Sequence, residues 1–163
     1  MRKYLLLLFI IVISPLLISQ YMPKSVYLHI TGENKECFFP IKDNETLSIS
    51  FIHSVELTRE IDFYRVEGNS FILFKTLTKT AGWGLPSTEK NFSITTYKGE
   101  EWFEYRIIRY LKAIEILGYP LNKYSLETEN YSINLTEFGN RLRIDIVREN
   151  KIYGMFRGCL SEK

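Results

Sequence analysis

With 163 residues, 45% of them hydrophobic and 15% aromatic, the chain is long and apolar enough to close the core of one ordinary domain. Its 21 Lys and Arg exceed its 19 Asp and Glu by two, and Arg2 and Lys3 account for the whole excess. The remainder is neutral and has no basic stretch, so it carries no electrostatic footprint for nucleic acid and little attraction for anionic lipid.

Residues 4–23, YLLLLFIIVISPLLISQYMP, contain no charge, follow Arg2 and Lys3 and end at Lys24. About 20 apolar residues at ~1.5 Å each can cross a hydrocarbon layer of roughly 30 Å, and the leading cations favour an N-terminus-inside orientation. The segment is read as a membrane anchor over residues 1–23, with an extracytoplasmic domain over 24–163. Cleavage as a signal peptide is the alternative, but Ser19 is the one small residue offered near a cleavage point.

From Lys24 onward the hydrophobic period is mostly two. Val26, Leu28 and Ile30 alternate with Ser25, Tyr27 and His29, which predicts a half-buried strand, and Leu47, Ile49 and Phe51 repeat the pattern. Gly68-Asn69 predicts a hairpin between Ile61–Glu67 and Phe71–Thr80, and hence antiparallel pairing. Leu142, Ile144 and Ile146 predict a further strand, with turns at Gly139-Asn140 before it and at Glu149-Asn150 before Lys151–Phe156. One segment departs from this period. In Glu100–Leu117, Phe103, Ile107, Leu111, Ile114 and Leu117 recur every three or four residues, which predicts one amphipathic helix ended by Gly118 and Pro120. The expected fold is therefore mainly β, an antiparallel sandwich or flattened barrel with one flanking α-helix.

Cys37 and Cys159 lie near opposite ends of the domain, and outside the cytoplasm a disulfide is favoured over free thiols. Such a bridge would close a loop of about 120 residues and remove roughly 4–5 kcal/mol of denatured-state freedom. Two separate buried thiols are the alternative. Asn44, Asn91, Asn130 and Asn134 each begin an Asn-x-Ser/Thr acceptor, so glycosylation is expected only where these positions meet solvent.

Chemistry-bearing residues concentrate in Phe51–Glu60, where His53, Ser54, Glu56 and Glu60 crowd a strand end and its turn. On a strand, neighbouring side chains point to opposite faces, so His53 and Ser54 are not a base and nucleophile by adjacency, and no G-x-S-x-G elbow is present. Glu56, Glu60 and Asp62 could offer oxygens to a hard cation if the turn gathered them. For His53 the plainest reading is a strand-end histidine bonded to a backbone carbonyl or to a carboxylate such as Glu60. A second distinctive piece, Ala81–Ser87, places Gly82 and Gly84 around Trp83 ahead of Pro86, a loop whose tryptophan either plugs the core or stands out as an anchor.

These pieces in order, HSVELTRE, DFYRVEGNSFILF and TAGWGLPS, resemble a prokaryotic family catalogued as domain of unknown function eighteen-fifty. The matching positions are His53, Ser54, Val55, Glu60, Gly82, Gly84, Leu85 and Pro86. Trp83 departs from the small residue more usual there, and the helix expected over Glu100–Leu117 looks like an insertion. The resemblance implies a small exported protein encoded beside a TAXI-type TRAP transporter, and says nothing of chemistry. The expectation is an accessory protein, not an enzyme, that meets the transporter membrane subunit or its solute-binding protein through His53, Ser54, Glu56, Glu60, Gly82, Trp83 and Gly84. No cofactor and no metal centre are expected. A small-ligand or cation-binding module built from the same loops is the alternative, and a hydrolase a weaker one.

Overall fold

Alternating sequence becomes strand throughout the computed structural model, which describes residues 24–80 and 92–150. Within those residues the strands are β1 (Lys24–Gly32), β2 (Glu36–Pro40), β3 (Thr46–Ile52), β4 (Arg59–Glu67), β5 (Ser70–Thr78) and β6 (Phe92–Tyr97), then β7 (Glu100–Tyr105), β8 (Arg109–Leu111), β9 (Ala113–Leu117), β10 (Ser125–Glu127), β11 (Ser132–Asn134) and β12 (Arg141–Asn150). They form two antiparallel sheets. The smaller has the order β2-β1-β12-β9, and the larger has the order β11-β10-β3-β4-β5-β7-β6 with β8 beside β5.

One core joins the sheets. Leu28 and Ile30 of β1, Ile114 of β9 and Leu142 and Ile144 of β12 meet Leu47, Val66, Phe71 and Leu126 of the larger sheet, all buried. Each such side chain contributes about 1.5–3 kcal/mol by leaving water, which makes this shared core the main stabilising element. The inward sets of β1, β3 and β12 are those the period of two selects.

The outer face of the larger sheet holds a second, smaller core of Ile61, Phe63, Leu77 and Trp102, with Tyr97 and Phe74 against it. Ile61 and Phe63 alternate along β4 with Glu60, Asp62 and Tyr64, so β4 buries both of its faces. A bulge between Phe63 and Tyr64 shifts the β4–β5 register and increases local twist. The sheet coils far enough that Lys98, at the tip of the β6–β7 hairpin, reaches Glu127 of β10 at 3.0 Å, although those strands stand well apart in the sheet order.

The helix expected over Glu100–Leu117 is not formed: the segment is β7, β8 and β9. The three-to-four spacing of its apolar residues was coincidental, because the side chains that become buried are Trp102, Tyr105, Ile114 and Ile116, whereas Leu117 is 69% exposed. β-Branched and aromatic residues dominate here, Tyr105, Ile107, Ile108, Tyr110, Ile114 and Ile116 among them, and they fit a pleated surface better than a helix. The turn expected at Glu149-Asn150 is likewise strand, paired with Ser25 and Lys24 of β1. The expected membrane segment 1–23, the loop expected with Gly82, Trp83 and Gly84, the expected strand 151–156, Asn91 and Cys159 lie outside the described residues. Among the described residues no helix is long and apolar enough to cross a membrane.

Candidate functional site

Where β3 ends, the chain closes into a tight knuckle before β4. The backbone N–H of His53 donates to the Thr58 carbonyl at 2.8 Å, and the N–H of Leu57 donates to the His53 carbonyl at 2.9 Å. The imidazole of His53 faces into this turn, where Nδ1 accepts from the backbone N–H of Glu56 at 3.2 Å and, at longer range, from that of Val55 at 3.4 Å. In this arrangement the neutral ring carries its proton on Nε2. Leu57 takes a left-handed conformation, φ 54°, which costs a non-glycine residue about 1 kcal/mol or more.

That strain accompanies an unusual display. Val55 is 68% and Leu57 77% exposed. The 3₁₀ turn Pro120–Asn122 stands beside them, because the Asn122 side-chain amide donates to the Ile52 carbonyl at 2.8 Å. It brings two further exposed apolar residues, Tyr119 and Leu121. Ser54 is exposed and makes no hydrogen bond to His53, whose Nδ1 is already occupied. Glu56 is half-buried in the same turn. The Thr58 and Thr80 hydroxyls meet at 3.5 Å, so the end of the described segment 24–80 lies beside the knuckle.

Glu60 is not the partner of His53. It sits in register with Phe51 of β3 and Thr78 of β5 and shares a β4 face with Asp62 and Tyr64, toward the inter-sheet core. Asp62 accepts from the Thr76 hydroxyl at 2.5 Å on one oxygen and from the Tyr64 hydroxyl at 3.2 Å on the other. Burial first, then the Asp62 charge, raises the Glu60 carboxyl from 4.5 to about 7. Burial also raises Asp62, opposed by its two hydroxyl donors and by the charge of Arg109. Desolvation and the adjacent Asp62 push the Tyr64 phenol upward as well. Glu60 therefore takes up a proton as pH falls through about 7, while the hydroxyl donors and the Arg109 charge favour the Asp62 anion.

This polar network was absent from the sequence reading. Glu60, Asp62 and Tyr64 were visible as an i, i+2, i+4 set, but the Thr76 donor to Asp62 sits on another strand and both faces of β4 are buried. Among the described residues, no three His, Cys, Asp or Glu side chains are placed to hold a metal ion; Glu56, Glu60 and Asp62 are not gathered.

Cys37 is fully buried in β2 and is not a free thiol. Asn44, Asn130 and Asn134 are exposed. Asn134 uses its side-chain oxygen to accept from the backbone N–H and hydroxyl of Thr136, the third residue of its own acceptor motif.

The family described as "Domain of unknown function (DUF1850)" matches residues 47–135, more than half of the chain, from β3 through the strands of the larger sheet. The match spans β7, β8 and β9. No curated protein and no solved structure matches the chain.

Proposed function

The chain belongs to the DUF1850 family, and we propose that it is a membrane-anchored, extracytoplasmic accessory protein that docks onto a protein subunit of a solute transport system. The observation that carries this reading is the His53–Thr58 knuckle, which holds Val55 and Leu57 out into solvent on a turn locked at both ends. Exposed apolar side chains on a preorganised turn are suited to act as interface anchors, since little freedom is lost when a partner covers them. Tyr119 and Leu121 widen the apolar surface at the same end. The uncharged segment 4–23 would tether the domain to the membrane through Lys24, at the end of the sheets where Arg148 meets Asp43 and Asn69, so the knuckle would stand at the far end from the tether. The resemblance to exported proteins encoded beside TAXI-type TRAP transporters supports the class of partner.

Affinity isolation of the tagged full chain from detergent-solubilised membranes tests the reading. A transporter subunit or solute-binding protein should co-purify with the native chain and be lost with Leu57→Asn, a change the left-handed turn tolerates. Recovery that is equal for the two proteins would place the docking surface elsewhere.

A further inference from the structure

The coiling of the larger sheet encloses a polar cavity on its outer face, on the other side of the sheet from the inter-sheet core and bounded at one end by Arg59, the residue after the knuckle. Its volume is about 90 Å³, and its lining includes Ser48, Ser50, Arg59, Tyr97, Trp102 and Glu127. At ~10–15 Å³ for each water-sized position, the space holds roughly six or more such groups.

Strand register explains the assembly. Ser48 and Ser50 occupy one face of β3, and Ser50 pairs with Ile61, so both hydroxyls stand on the side of the second core. The indole of Trp102 forms a wall, fixed by its N–H donating to the Tyr97 carbonyl at 3.3 Å and by the Lys79 ammonium 4.0 Å from its ring centre. The Lys98–Glu127 ion pair fastens the hairpin tip across the cavity. Ser50 shares a 2.8 Å hydrogen bond with Ser125.

Arg59 and Lys98 balance Glu100 and Glu127 within the lining, and Lys79 beside it adds one further cation. Lys98 is paired with Glu127, and Glu100, the remaining acid of the lining, is paired with Lys79 at 2.7 Å. Arg59 is left as a cation with no hydrogen-bond or ion-pair partner among the described residues, with Glu100 acting on it only at longer range. A guanidinium presents a planar fork that matches a carboxylate with two parallel hydrogen bonds. Hydroxyls around it can donate to or accept from ligand hydroxyls, and the carboxylates can accept from them.

We propose that this cavity is a binding site for a small hydroxylated carboxylate, with Arg59 taking the carboxyl group, Ser48 and Ser50 the hydroxyls, and Trp102 the carbon face. Arg59, the one cation of the lining without an ion-pair partner among the described residues, favours a ligand with a single carboxylate. Arg59 directly follows Thr58 of the knuckle, so Ser48→Ala on β3 separates the two assignments: it should weaken ligand binding and leave partner recovery unchanged.

Calorimetric titration of the detergent-solubilised full chain with glycerate, and separately with glycerol and inorganic phosphate, tests it. Glycerate should bind, glycerol should not, and phosphate should bind more weakly because, although the fork accepts it, it has no carbon face for Trp102 and no alcohol hydroxyls for Ser48 and Ser50. Arg59→Gln should weaken glycerate about tenfold or more, Arg59→Lys should recover only part of that loss, and Ser48→Ala should weaken it severalfold. Arg141→Gln, on an exposed position of β12, should leave it unchanged. Two outcomes would overturn the proposal: no heat from glycerate up to about 10 mM with a cooperatively folded native chain, or equal glycerate affinity in the native and Arg59→Lys proteins.

Discussion

Glu60 and Asp62 stand two residues apart on the same face of β4, and Asp62 is one of the two causes that raise the Glu60 carboxyl to about 7. Folding therefore strengthens proton binding at Glu60. The stability this provides is fully present below the unfolded value of 4.5 and is lost as pH rises through about 7. Glu60→Gln removes the dependence. At pH 8 the variant should be more stable than the native chain by about 1–2 kcal/mol, after discounting for the part of the group that water reaches. At pH 5 the two should nearly coincide. Urea unfolding at both pH values checks this, and a native chain whose stability is flat between them would contradict it.

His53 organises its turn as an acceptor, not as an ion-pair partner. His53→Ala should cost about 1 kcal/mol and speed hydrogen exchange at the amides of Val55 and Glu56. His53→Asn supplies a short side-chain oxygen and should restore most of the protection. Exchange rates unchanged in the Ala variant would show that backbone bonds alone hold the knuckle.

Gly32 ends β1 against Phe138, and an added Cβ would lie 2.2 Å from the Phe138 carbonyl oxygen and 2.6 Å from its Cβ. Backbone cannot yield as a flexible side-chain tip does. Gly32→Ala should therefore cost roughly 1–3 kcal/mol through forced shifts in a packed region. Gly68, at φ 59° in the β4–β5 turn with nothing near it, should cost only about 1 kcal/mol on the same change, for conformational reasons alone. Thermal unfolding of the two variants separates steric from conformational cost, and equal losses would contradict the assignment.

Leu57 trades stability for display. Leu57→Asn removes an exposed apolar group and relieves the left-handed strain, so its melting temperature should equal or slightly exceed the native one. A drop of several degrees would mean that Leu57 supports the fold.

The sheet-forming alternation was legible because it is a local property. Leu28, Ile30, Leu47, Ile49, Leu142, Ile144 and Ile146 all point inward as their spacing requires. The Gly68-Asn69 turn was equally local and joins β4 to β5. What escaped was set by tertiary context. A helical spacing in Glu100–Leu117 gave way to strands because Trp102 and Tyr105 are buried beside β5 and Ile114 and Ile116 beside β12. The inward turn of Glu60 and Asp62 contradicts the expectation that charged residues face water, and only hydroxyl donors from Thr76 and from Tyr64 make it tolerable. At the knuckle, sequence drew attention to His53 and Glu60, while the side chains that face solvent most openly are Val55 and Leu57. The cavity at Arg59 depends on sheet coiling, which no local pattern encodes.

Site-specific photo-crosslinking in intact membranes tests docking at the knuckle most directly. A photoreactive residue placed at Val55, which is 68% exposed, should capture one solute-transport subunit, while the same residue at exposed Glu67, at the opposite end of β4, captures none. Capture of that subunit from Glu67 but not from Val55 would contradict the account.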